Sequence, residues 1–234
     1  MSLKKHISNL NQRRLSLTNK VIDRKYIFLL LSLISMLFIP SLFYQTPYQK
    51  IVAYILQAFT FLIGVYAIHR NKNELYLLTI LCMVVIGLNL FGVYKEYATI
   101  HFYLSFIFYL LFYLFMCLRL MEKIFTAQTV RLSVLMASIN VYLLLGICGG
   151  FVFMLIENIH PGSINNLQIE NITEPSRFIY FSFTTMSTLG YGDITPVTPP
   201  TQSFAIILTV IGQMYTKLVV AMLVGRYLVY RKRN

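Results

Sequence analysis

Residues 184–193 read Thr-Thr-Met-Ser-Thr-Leu-Gly-Tyr-Gly-Asp. Within them, Thr188-Leu189-Gly190-Tyr191-Gly192 lines up successive peptide carbonyls, with a glycine at every second position after Leu189. A strand whose carbonyls all point to one axis must alternate ordinary and left-handed dihedrals. Only glycine enters the left-handed region without a steric penalty. Four such strands around an axis would stack rings of carbonyl oxygens that replace the water shell of a bare cation, and the Thr188 hydroxyl would add a further ring at the inner end.

The rest of the chain fits such a device into a membrane. Of 234 residues, 57% are hydrophobic and 12% charged, and the mean hydropathy is +0.67. A soluble domain usually carries about 25% charged residues. The net charge of +12 lies in short clusters between apolar runs, a pattern of cytoplasmic flanks and not of a nucleic-acid-binding face. Cys82, Cys117 and Cys148 all fall inside apolar runs, so no disulfide framework is expected.

Six runs reach the length of about 20 residues that a membrane crossing needs: 26–44, 51–68, 75–93, 100–120, 133–156 and 203–229. The apolar stretch 176–187 is too short to cross and suits a re-entrant helix buried in protein. Basic residues collect at the N-terminus, at Arg70 and Lys72, at Arg119, Lys123 and Arg131, and at Arg231-Lys232-Arg233. The loop before the last run instead holds Glu157, Glu170, Glu174 and Asp193. This asymmetry puts both termini in the cytoplasm of a multi-pass protein of the plasma or inner membrane, with 184–193 facing outward. The expected fold is all-α: six transmembrane helices with a re-entrant pore helix and filter loop.

Residues 133–229 resemble the pore domain of tetrameric potassium channels, whose filter is the related TVGYG loop. The resemblance rests on an aromatic-rich short helix, TLGYGD, the Pro196-Val197-Thr198 turn and a long final span. It divides the chain into a basic N-terminal segment (1–25), a four-helix membrane domain (26–120), a cytoplasmic linker (121–132), a pore domain (133–229) and a short tail (230–234). Within the pore domain the outer helix is 133–156, the pore helix 176–187, the filter 188–193 and the inner helix 203–229. The resemblance implies a homotetramer surrounded by lipid and passive conduction of potassium. The ions are coordinated by Thr188, Leu189, Gly190, Tyr191 and Gly192, with no cofactor and no nucleic acid.

The resemblance also implies that Tyr180 hydrogen-bonds Asp193 behind the filter; a plain interfacial aromatic is the other reading of Tyr180. Thr184 and Thr185 end the pore helix, whose negative dipole end favours a cation in the cavity below. Gly212 occupies the place of the family's hinge glycine and Gly225 is a second candidate bend. Either could instead let helices pack closely. Helical spacing groups Gln213, Thr216, Val220 and Val224 on one cavity-facing side, with Lys217 beside them. An ionisable side chain at mid-membrane is a functional candidate, yet Lys217 could equally snorkel toward the cytoplasm or pack on a neighbouring helix.

The fourth run departs from voltage-gated relatives. Residues 101–118 contain no arginine, and Arg119 stands at the cytoplasmic end, so little or no voltage sensing is expected. The stretch 119–132 reads either as an amphipathic helix on the inner surface or as a polar turn. Few residues follow the last span, so no cytoplasmic ligand-binding domain is expected there. Asn171-Ile172-Thr173 fits a glycosylation sequon. No phosphate-binding glycine loop, metal-ligand cluster or nucleophile–base spacing stands out, so an enzyme is not expected. A potassium channel leads, with a weakly selective cation channel or a non-conducting regulatory subunit of a channel assembly as alternatives.

Overall fold

The computed structural model describes residues 24–43, 46, 48–94, 99–167 and 175–233. Among these residues there are seven helices: α1 (Arg24–Leu42), α2 (Gln49–Ile68), α3 (Lys72–Tyr94), α4 (Thr99–Thr126), α5 (Leu132–Ile159), α6 (Pro175–Met186) and α7 (Pro199–Arg233). Two short strands, β1 (Ile164–Asn165) and β2 (Thr195–Pro196), pair antiparallel with Ile164 opposite Pro196. Among the described residues, five helical stretches are long and apolar enough to cross a membrane: Arg24–Leu42, Gln49–Ile68, Leu104–Thr126, Leu132–Ile159 and Pro199–Arg226. The helix α3, the third of the six expected spans, is not among those five. The sequon at 171–173, the N-terminal segment before Arg24, and the loop acids Glu170 and Glu174 lie outside the described residues.

The helices α1 to α4 form one unit that leans on α5. The Thr60 hydroxyl of α2 donates to the Ser32 carbonyl of α1 at 3.2 Å, and the Tyr113 hydroxyl of α4 reaches Met36 Sδ of α1 at 3.1 Å. Phe61 of α2 packs edge-on against Phe112, and Tyr113 stacks on Phe151 of α5 with centroids 5.9 Å apart. All four rings are buried. Aromatic pairs of this kind add about 0.5–1.5 kcal/mol each beyond their area. They join the first four helices to α5.

Two expectations need correction here. The fourth helix does not end at residue 120. It runs on to Thr126, so residues 121–126 of the expected 121–132 linker belong to α4, and 127–131 connects α4 to α5. Leu120 and Ile124, four residues apart, are both almost fully buried and hold that last stretch on the bundle. At the other end, α7 starts at Pro199 and continues to Arg233, longer than the expected 203–229. The opening prolines suit the first turn, where a missing N–H costs nothing.

Charge is also used differently at the end of the bundle. Arg119 is not a solitary flank: it pairs with Glu74 in the first turn of α3 and with Glu122 at 3.4 Å, while Arg70 bonds Glu122 at 2.9 Å. The Arg226 guanidinium of α7 donates to the carbonyls of Ile124 (2.6 Å) and Phe125 (2.8 Å), which the end of α4 leaves without helical partners. That clamp ties the inner helix to the four-helix unit.

Candidate functional site

The C-terminal half, from α5 onward, is assembled by close backbone approach. Three glycines of α5 form the seat of α6: a side chain at Gly146 would strike the Phe183 ring, one at Gly149 would meet Ser182, and one at Gly150 would lie 2.7 Å from Ile179 Cα. The Ser182 hydroxyl, fully buried, donates to the Gly146 carbonyl at 2.7 Å. These four residues were absent from the candidates of the sequence. Only the Gly146…Gly149-Gly150 spacing, one helix face with small residues, could have pointed to them.

Above that seat the segment after α6 turns back along its own helix end. The N–H groups of Leu189 (2.9 Å) and Gly190 (3.2 Å) both bond the Thr184 carbonyl, and the Thr188 N–H bonds the Thr185 carbonyl at 3.1 Å. The last carbonyls of α6 are thus taken by the strand that follows. The dipole-end attraction for a cavity ion, expected from Thr184 and Thr185, is partly spent on positioning residues 188–190.

The dihedrals alternate along this strand. Thr188 has φ 62°, Gly190 52° and Gly192 79°, while Leu189 and Tyr191 keep negative φ. For the two glycines the left-handed region is free, but for β-branched Thr188 it is strained. Two bonds hold Thr188 there: its hydroxyl donates to the Ser187 carbonyl at 2.6 Å and accepts from Gln213 Nε2 at 3.4 Å. The Gln213 contact brings α7 to the Thr188 end of this segment, and Lys217, Val220 and Val224 follow on α7, all exposed. Thr216 lies between them, its hydroxyl bonding back to the Gly212 carbonyl at 3.1 Å. None of the salt bridges among the described residues involves Lys217.

At the outer end, the Tyr180 hydroxyl donates to Asp193 at 2.7 Å. That bond, with backbone N–H groups of Asp193 and Ile194 adding to it, holds the Asp193 carboxyl below its usual range and raises the Tyr180 phenol. Gly212 lies against the end of α6, where a Cβ would stand 2.5 Å from the Met186 carbonyl oxygen; Gly225 faces open space.

Glu157, counted from the sequence as a charge of the outer loop, is instead a buried residue of α5. Its carboxylate accepts from the N–H of Gly162 (2.7 Å), the Ser163 hydroxyl (2.7 Å) and the N–H of Ile164 (2.9 Å). The Ser163 carbonyl in turn accepts from the Val197 N–H (2.9 Å) and the Thr201 hydroxyl (3.0 Å). Glu157 therefore fixes the β1–β2 ladder and with it the segment that leaves Asp193. Nothing in the sequence separates such an acid from a solvated one, because its partners are backbone groups of a turn.

Leu189 and Tyr191, and the α7 side chains Ile206, Val210, Met214 and Leu218, are all exposed. Buried positions make up 56% of the apolar window of α5 but 17% of that of α7. A short helix seated on α5, a segment with alternating dihedrals and a largely exposed α7 thus stand side by side. Residues 141–228 match the model of a family described as ion channels. Among curated proteins, none matches the chain. The matched stretch begins in α5 and takes in α6, the strand and most of α7, and it marks this region as an ion-channel domain of a multi-pass membrane protein.

Proposed function

We propose that the chain is the subunit of a homotetrameric, potassium-selective channel that conducts passively through rings of backbone carbonyls at Thr188, Leu189, Gly190, Tyr191 and Gly192. The observation that carries this reading is the alternation of positive φ at Thr188, Gly190 and Gly192. An alternating strand turns consecutive carbonyls to one side, and a ring of them needs several subunits. The exposed apolar face of α7 supports the same assembly, since an inner helix bare in one subunit gains its cover from the neighbours.

In this reading the chain spans the membrane six times with both termini in the cytoplasm. Tyr180 and Asp193 brace the outer end, and Gln213, Thr216, Lys217, Val220 and Val224 line the cavity. Gly212 and Gly225 are the candidate bends, and the first four helices sense little voltage. Arg119 is bound to Glu74 and Glu122 at one end of the bundle, and one paired arginine supplies little mobile charge. Potassium flux into liposomes holding only the purified protein tests the proposal. Flux that rises with protein and vanishes without it is expected, whereas its absence would favour a regulatory subunit that conducts only with a partner.

A further inference from the structure

Of the groups proposed to coordinate potassium, the Thr188 hydroxyl is the one carried by a side chain. The carbonyls of the segment are aimed by backbone dihedrals, whereas a hydroxyl rotates and has to be aimed by its neighbours. It has one hydrogen to donate and two lone pairs to offer. At Thr188 the hydrogen is committed to the Ser187 carbonyl at 2.6 Å, and one lone pair takes the N–H of Gln213 Nε2 at 3.4 Å. One lone pair is left for a cation.

The second of those bonds exists because α7 is pressed against the end of α6. Thr209, Gly212 and Gln213 stand three and four residues apart, on one face of α7. The Thr209 hydroxyl lies 3.3 Å from the Thr185 carbonyl, the same oxygen that accepts the Thr188 N–H at 3.1 Å. Gly212 lies against Met186, where a Cβ has no space. Gln213, partly buried, then reaches Thr188. The residue held in this way has cause to move, because φ of 62° is strained for a β-branched side chain.

We infer that Gln213 is a positioning residue for the Thr188 hydroxyl. Its amide N–H holds that oxygen with a lone pair free for the ion, and so sets how tightly the Thr188 position binds a potassium-sized cation. This role rests on the proposed ring of Thr188 groups, and it gives Gln213 a task beyond lining the cavity.

The test uses the purified full-length protein and barium, a divalent cation close to potassium in size. One readout is the rise of Tm in detergent, which needs no conduction, and the other is block of potassium current in a planar bilayer. Barium is expected to raise the Tm of the wild type saturably. Gln213→Met keeps the length of the side chain and removes the N–H. Loss of that bond in each subunit is expected to weaken barium about tenfold. Where the Met variant does not fold, Gln213→Leu serves with the same expectation. Thr188→Ala removes the hydroxyl itself, so adding Gln213→Met to it should weaken barium no further, whereas independent contributions would add. A packing role for Gln213 would lower Tm without barium and leave the affinity for barium unchanged. Equal barium affinity in wild type and Gln213 variants, a Gln213 effect that adds in full to that of Thr188→Ala, or no response of the wild type to barium would each overturn the inference. A wild type that binds barium in a Gln213-dependent way yet carries no potassium current would keep the role of Gln213 and remove the conducting channel. Selective potassium current with a barium affinity insensitive to Gln213 would do the reverse.

Discussion

Replacing Gly212 by alanine separates packing from bending at the place where α7 crosses the end of α6. A methyl group there would stand 2.5 Å from the Met186 carbonyl oxygen and against the Met186 side chain. Ordinary contact begins near 3.5 Å, so α6 and α7 must part by roughly 1 Å. Overpacking of this kind costs about 1–3 kcal/mol, and exchange of glycine for alanine within a helix returns about 1 kcal/mol. The net effect is a loss of roughly 0–2 kcal/mol. Gly225→Ala meets nothing within 4 Å, so only the gain of about 1 kcal/mol applies. The two variants should therefore differ by about 1–3 kcal/mol, or several degrees in Tm at roughly 2–4 °C per kcal/mol. The displaced backbone at Met186 lies two residues before Thr188, so the less stable variant should also conduct less. Thermal unfolding in detergent gives the first quantity and liposome flux the second. Gly212→Ala at or above wild-type Tm, with Gly225→Ala below it, would refute the reasoning.

Other perturbations follow from the same geometry. The folded-state pKa of Asp193 is depressed by the Tyr180 hydroxyl, so its contribution is complete above the ordinary carboxylate value of 3.8 and disappears as pH falls through the lower folded value. Flux should hold to about pH 4 and decline below it, and in Tyr180→Phe the decline should begin at higher pH; identical profiles would remove the bond from the account. Glu157→Gln turns an amide N–H₂ toward the Ser163 hydroxyl and the Ile164 N–H, or toward Gly162, and should cost about 1–3 kcal/mol in thermal unfolding. An unchanged Tm would return Glu157 to the status of a loop charge. Lys217→Ala should raise single-channel potassium conductance if the ammonium faces the cavity, whereas unchanged conductance and rectification would assign Lys217 to the lipid or a helix contact.

What the chain reveals by its letters is uneven, and the reasons are physical. Residues 188–192 are legible because the required conformation demands glycine at Gly190 and Gly192, and a backbone need of that kind is written in residue identity. The Tyr180–Asp193 bond, suggested by the resemblance to potassium channels, joins residues that one short helix and one strand place together. The end of α4 was hidden because Glu122 and Lys123 look like an exit from the membrane. No glycine or proline occurs between Arg119 and Arg131 to stop the helix, and burial of Leu120 and Ile124 carries it on. The Arg226 clamp and the Glu157 turn stayed invisible because in each the partners are main-chain groups, which every residue possesses. The seat at Gly146, Gly149 and Gly150 became readable only once α6 was in place.

Selectivity is the claim on which the rest depends, and a bi-ionic reversal potential measures it. Purified protein alone is placed in a planar bilayer with potassium on one side and an equal concentration of sodium on the other. A carbonyl-lined filter at Thr188–Gly192 is expected to give a reversal potential far from zero, in the direction of potassium permeation. A current that reverses near zero would contradict the account, as would the absence of any current.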